Sequence, residues 1–202
     1  MKLYYAPGAC SMAPHIALRE AGLTFDLEKV DLANKQTASG EDFTKVNPKG
    51  YVPALKLDDG QILTEAAVTV QYIADQMPES GLAPKAGTMD RYRMLEWLNL
   101  ISTEFHKTLG ALFNPNITPE WKENQIATFG KRCDFLSQHL DSRQFLMGDQ
   151  YTIADAYLFT ILGWTNYHKV DMSNWPTLTD YMGRIAARPA VVETMKAEGL
   201  SK

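Results

Sequence analysis

The feature that most constrains this chain is a single break in its texture. Residues 77–87 read Met77-Pro78-Glu79-Ser80-Gly81-Leu82-Ala83-Pro84-Lys85-Ala86-Gly87, a proline- and glycine-rich run that punctuates regular structure. Before it, strand and helix patterns alternate. After it, only helical patterns follow. A chain of 202 residues suits two small domains and can bury a sizeable core without disulfides or a structural metal. The expected division is residues 1–80, then a linker, then residues 88–202.

In the first part, residues 2–5 read as a short strand. Residues 11–21 have helical spacing, with Gly22 placed as the residue that ends the helix. Residues 25–30 alternate as a strand does. Residues 54–57 and 61–63 flank Asp58-Asp59-Gly60, a hairpin signature. Residues 66–77 are helical again, with Val70, Ile73, Ala74 and Met77 on one face. The order β-α-β, a connection, then β-β-α is that of a thioredoxin-like α/β domain.

The second part reads as an all-α domain. Residues 90–112 form one long predicted helix. Thr118-Pro119-Glu120 is a helix start, with a cap, a proline at the first helical position and an early acid. Thr152-Ile153-Ala154-Asp155 resembles a capping box, with Asp155 at the position usually held by Glu or Gln. Thr152 and Asp155 are therefore expected to form a structural cap. The helix they start, over residues 154–164, is apolar almost all round and is expected to be buried.

Composition excludes several partners. The net charge is -4 with acids and bases interspersed, so no nucleic-acid or membrane partner is expected from electrostatics. The first residues lack the apolar stretch of a signal peptide, and residues 154–164 are too short to span a bilayer. A cytoplasmic location is expected. Cys10 and Cys133 make no disulfide framework and are expected as free thiols. His15, His139 and His168 show no metal-ligand spacing, so no metal site is expected.

Cys10 stands between the first strand and the first helix. A helix N-terminus favours a thiolate, which is the nucleophile in disulfide exchange. An inert, partly buried cysteine is the competing reading. Position 13 is Ala, so a Cys-x-x-Cys pair is absent. Val52-Pro53 precedes the third predicted strand, where in a thioredoxin-like fold a cis proline would leave the Val52 backbone open to a peptide ligand; a trans bond is the commoner form. Thr64 can cap the helix that follows it. Glu65 can pair with an α-amino group, or simply complement the helix dipole. Lys35 can hold a carboxylate, or stand solvated in its loop. Asn99, Thr103 and His106 share one face of a regular helix, with Glu104 and Lys107 beside them, forming either a cleft lining or a solvated stripe.

In this order, over essentially the whole chain, these residues resemble the glutathione S-transferases. The marks are the opening Met1-Lys2-Leu3-Tyr4-Tyr5-x-Pro7-Gly8-Ala9-Cys10-Ser11, then Asn47-Pro48-Lys49-Gly50-x-Val52-Pro53-Ala54-Leu55, then Leu63-Thr64-Glu65, and Thr152-x-Ala154-Asp155-Ala156-Tyr157. Cys10 resembles the marker cysteine of the bacterial beta class. The resemblance implies glutathione as cosubstrate with no other cofactor, a small electrophile as second substrate, and a homodimer. It places the second-substrate pocket and dimer contacts in the helical domain. The implied glutathione contacts are Cys10, Lys35, Val52, Pro53, Glu65, Ala66, Asn99, Thr103, Glu104, Phe105 and His106, some reaching across the dimer interface. Cys10, His106 and Tyr5 are the implied catalytic group, with Ser11 a further aid to the thiolate. Ala66 departs from the Ser of many other classes and leaves only its backbone N–H. The implied reaction is attack of the glutathione sulfur on an electrophilic carbon, with a Cys10–glutathione mixed disulfide as a companion. The alternatives are a glutathione-dependent reductase, peroxidase or dehalogenase, or a non-catalytic binding protein on the same fold.

Overall fold

The computed structural model describes residues 1–201 and divides into two compact units. The first unit comprises residues 1–83 and 188–202, and the second residues 84–187. The helical domain was expected to run to residue 202, so the described residues 188–201 are a correction: they belong with the α/β unit.

The first unit is built on a five-stranded sheet in the order β3-β2-β1-β4-β5. β1 (Lys2–Tyr5) runs parallel to β2 (Asp26–Asp31) and antiparallel to β4 (Ala54–Lys56), which pairs with β5 (Ile62–Thr64). The β4–β5 turn closes at Gly60, whose φ of 88° suits only a residue without a side chain. The connection between β2 and β4 holds two elements that the sequence pattern left undefined: β3 (Gln36–Thr37) on the sheet edge and the one-turn α2 (Phe43–Val46), capped by Asp42 through the Thr44 amide.

Alternation along β1 explains the two sides of the sheet. Tyr4 joins Val30, Phe43, Val52 and Ala54 in one apolar cluster, while its neighbour Leu3 is fully buried beside its strand partner Leu55. α1 (Met12–Glu20) buries every residue from Met12 to Leu18, and α3 (Ala66–Gln76) buries Val70, Ile73 and Ala74. Each large apolar side chain so enclosed contributes roughly 1.5–3 kcal/mol relative to exposure. Polar bonds bring α10 (Pro189–Ala197) against α1: Arg188 forks onto the Glu20 carboxylate, and His15 meets Glu198 inside the unit.

The second unit is helical. α4 (Met89–Leu100) starts at the Thr88 cap, whose hydroxyl accepts the Arg91 amide. The expected single helix over residues 90–112 is not regular: a π-helical turn, Ile101–His106, joins α4 to α5 (Lys107–Ala111). α6 (Pro119–Leu140) starts at Thr118 and Pro119. α7 (Ile153–Leu162) is buried along its whole length. α8 (Trp164–His168) and α9 (Pro176–Ala186) complete the unit. At the start of α7, the Asp155 carboxylate accepts the Thr152 amide and hydroxyl, the Leu146 amide and the Tyr181 hydroxyl. No helix among the described residues is long and apolar enough to cross a membrane.

Candidate functional site

In the first unit, the β1–α1 loop carries Cys10, whose thiol donates to the Val52 carbonyl at 3.2 Å. The loop is held from within by Ser11: the Ala6 amide donates to Ser11 Oγ at 3.1 Å, and the hydroxyl turns back to the Ala6 carbonyl. Ser11 is fully buried, so it supports the loop and is not placed to assist a ligand thiolate. α1 begins at Met12, two residues after Cys10, and the Met12 and Ala13 amides bond the Ala9 and Cys10 carbonyls. These first-turn donors are thus engaged, where the sequence pattern suggested open N–H groups beside the sulfur.

The Val52–Pro53 peptide bond is cis. The loop before it is tied by Asn47, which donates to the Tyr51 carbonyl at 2.7 Å and accepts the Lys49 amide at 3.2 Å. Lys35, expected to hold a ligand carboxylate, donates to the Gly50 carbonyl at 2.7 Å. Glu65, not Thr64, is the cap residue of α3, with a φ of 71° and no side-chain cap bond. Thr64 Oγ1 instead accepts the Lys49 ammonium, which also reaches Glu65 Oε1. Ala66 opens α3 and is buried.

Tyr5 is a core residue. It lies on β1 against the His15 ring, and its hydroxyl is moved further from ionisation, first by burial and then by the negative Glu198. That environment opposes a phenolate.

In the second unit, the π-helical turn changes which residues share a face. Asn99 and Thr103 stay together, the Thr103 hydroxyl donating to the Asn99 carbonyl at 3.1 Å. Glu104 forms an ion pair with Arg132 on α6. Phe105, expected among the ligand contacts, is 1% exposed and packs edge-to-face on Phe129, so its side chain belongs to the core. His106 Nδ1 lies 2.6 Å from the Tyr157 hydroxyl, with its ring edge-on to Trp164. Phe113, Tyr167 and His168 continue this aromatic group, and Phe113 and Tyr167 are exposed.

Sequence reasoning overlooked three things here: Lys49 and Tyr51 on Glu65, Tyr157 as the partner of His106, and the aromatic group itself. A usable signal was present in the density of Trp, Tyr, His and Phe over residues 157–168.

The sheet order, the cis Val52–Pro53 bond and the Cys10 thiol on the Val52 carbonyl define a thioredoxin-like unit with a cysteine beside its cis proline. Comparison with known proteins gives the family. Residues 8–76 match the N-terminal domain of the glutathione S-transferases, and residues 100–189 match their C-terminal domain. The chain is 44% identical over 200 residues to the glutathione S-transferase GstA of Escherichia coli O157:H7, covering 99% of this chain and 100% of that one. It is similar to a sphingomonad glutathione S-transferase complexed with glutathione (49% identity, TM-score 0.96) and to the bacterial beta class glutathione S-transferase of Sphingomonas chungbukensis (47% identity, TM-score 0.96), with full coverage of both chains in each case. The chain belongs to the glutathione S-transferase family, and its resemblance is to the bacterial beta-class enzymes.

Proposed function

We propose that this chain is a glutathione transferase whose first unit binds the tripeptide beside Cys10. The cysteine residue of glutathione pairs with the Val52 backbone, its sulfur comes to Cys10, and the α-ammonium of the γ-glutamyl residue meets Glu65. Lys35 and the start of α3 at Ala66 take the carboxylates. For the second unit taken by itself, Asn99, Thr103 and His106 are proposed as polar ligand contacts, and Phe113, Trp164 and Tyr167 as an apolar surface for a small electrophile. The bound thiolate attacks the electrophilic carbon, the carbon–sulfur bond forms, and the leaving group departs with its electron pair. The observation that carries this reading is the gathering of a thiol, a cis Val52–Pro53 peptide bond and the Glu65 carboxylate in one unit, in a chain alignable end to end with glutathione transferases.

Cys10 adds a second chemistry. Its thiolate attacks one sulfur of oxidised glutathione, a Cys10–glutathione disulfide forms, and one glutathione thiolate leaves. We further propose a cytoplasmic homodimer, with the exposed Met89 and Tyr92 on α4 as candidate contacts between protomers. Retention on immobilised glutathione, followed by a conjugation assay with an aryl halide and sedimentation at micromolar concentration, tests the assembly and the activity together. Passage through the column without retention, or no conjugation above the uncatalysed rate, rejects the reading.

A further inference from the structure

The carboxylate assigned to the ligand ammonium is itself held by a second loop. Lys49 Nζ donates to Glu65 Oε1 at 2.5 Å and to Thr64 Oγ1 at 3.0 Å. The Tyr51 hydroxyl donates to the same Oε1 at 2.9 Å, and the Lys49 ammonium lies 5.8 Å from the centre of the Tyr51 ring. Glu65 has a φ of 71°, a conformation that persists only where the surroundings over-determine it. Its main chain is set by the β5–α3 junction and its side chain by two donors from another loop.

That loop is not loose. The Gly50 amide bonds the Asn47 carbonyl at 2.8 Å, the buried Asn47 amide bonds the Tyr51 carbonyl at 2.7 Å, and Lys35 bonds the Gly50 carbonyl at 2.7 Å. The same loop ends at Val52, whose carbonyl receives the Cys10 thiol. One segment thereby sets the place of both the thiol and the carboxylate.

We infer that Tyr51 and Lys49 are positioning residues for Glu65, and that through it they set a preference for thiol peptides carrying a free α-ammonium. The inference rests on the assignment of Glu65 made above. An exposed ion pair contributes little to stability, so the effect of this pair is to be read in recognition. A carboxylate offers about four acceptor sites, so Lys49 and Tyr51 can share it with a ligand. Orienting it before the ligand arrives removes an ordering cost from binding.

The test is titration calorimetry of the full chain under reducing conditions with two probes, glutathione and N-acetylglutathione, in which the ammonium has become an amide. Tyr51→Phe is expected to weaken glutathione roughly five-fold, the size of one modest hydrogen bond, and to leave N-acetylglutathione unchanged. Lys49→Met is expected to act in the same direction. Equal weakening of both probes would mean that the loop has simply collapsed, and would overturn the inference. So would tighter glutathione binding by Lys49→Met, which would make Lys49 a competitor of the ligand. Glu65→Gln separates the two levels of argument. If it weakens glutathione while Tyr51→Phe does not, positioning is overturned and the glutathione reading stands. If it leaves glutathione binding intact, the assignment of Glu65 fails and the positioning role fails with it.

Discussion

His15 Nδ1 and Glu198 Oε1 lie 2.8 Å apart, and neither side chain meets solvent. The Arg19 Nε group donates to His15 Nε2 at 3.1 Å, so Nε2 is the acceptor of the imidazole and Nδ1 carries the proton given to Glu198. The other carboxylate oxygen accepts the Gly8 amide at 2.8 Å. Glu198 thus ties the end of the chain to α1 and to the loop that carries Cys10.

From this we predict that Glu198→Ala leaves the buried His15 Nδ1 donor without its acceptor, removes the bond of the part-buried Gly8 amide to this carboxylate, and costs about 2 kcal/mol. Glu198→Gln keeps one acceptor oxygen and costs less. Denaturant midpoints measure both, and a midpoint unchanged in Glu198→Ala would show that this cluster does not hold the unit together.

The start of α7 gives a second prediction. Thr152 and Asp155 form the expected cap, but Asp155 also accepts the Leu146 amide and the Tyr181 hydroxyl. Thr152→Ala should therefore cost about 1 kcal/mol. Asp155→Ala strands several buried donors and should cost about 3 kcal/mol or more. Equal losses in thermal or chemical unfolding would contradict this ranking.

The two cysteines should separate cleanly. Cys133 is fully buried in α6, and burial, with Asp134 beside it, raises its thiol pKa well above the ordinary value. Cys10 is partly exposed. Oxidised glutathione should add one glutathionyl group per chain, at Cys10, removable by reductant. Cys10→Ala should take no adduct in the folded state, and Cys133 should become labelled only after denaturation. Intact-mass spectrometry with peptide mapping reads all three results, and an adduct confined to Cys133 would remove the proposed role of Cys10.

His106 and Tyr157 form a coupled pair in the second unit. If His106 assists the glutathione thiolate, His106→Ala should lower turnover by roughly ten- to a hundred-fold. Tyr157→Phe should give a smaller loss in the same direction, because the ring remains packed while its hydrogen bond is gone. Steady-state kinetics on both variants decide this. Full activity in His106→Ala would return the residue to a packing role.

Local patterns carried much of the fold. The short strand over residues 2–5, the alternation of residues 25–30, the Asp58-Asp59-Gly60 turn and the Thr118-Pro119 start are written in a few adjacent residues, and their elements form where those residues lie. Cys10, Val52 and Glu65 were legible as candidates because each stands at the end of such an element. What their neighbours would be was not legible. The burial of Tyr5 and the pairing of Glu65 with Lys49 and Tyr51 depend on segments brought together only by packing.

The chain by itself determined the longer strands and helices, though not β3 or α2, and where a thiol stands between them, because propensity, capping and turn chemistry act over a few residues. Only the tertiary structure decided that residues 188–201 return to the α/β unit, that the helix over residues 90–112 carries a π-helical turn, and that Phe105 points into a core while His106 meets Tyr157. The reason is physical: a buried carboxylate such as Glu198 is satisfied by donors at the other end of the sequence, and one extra residue in a helical turn rotates every later side chain to a new face. Neither effect leaves a mark on the residues immediately beside it.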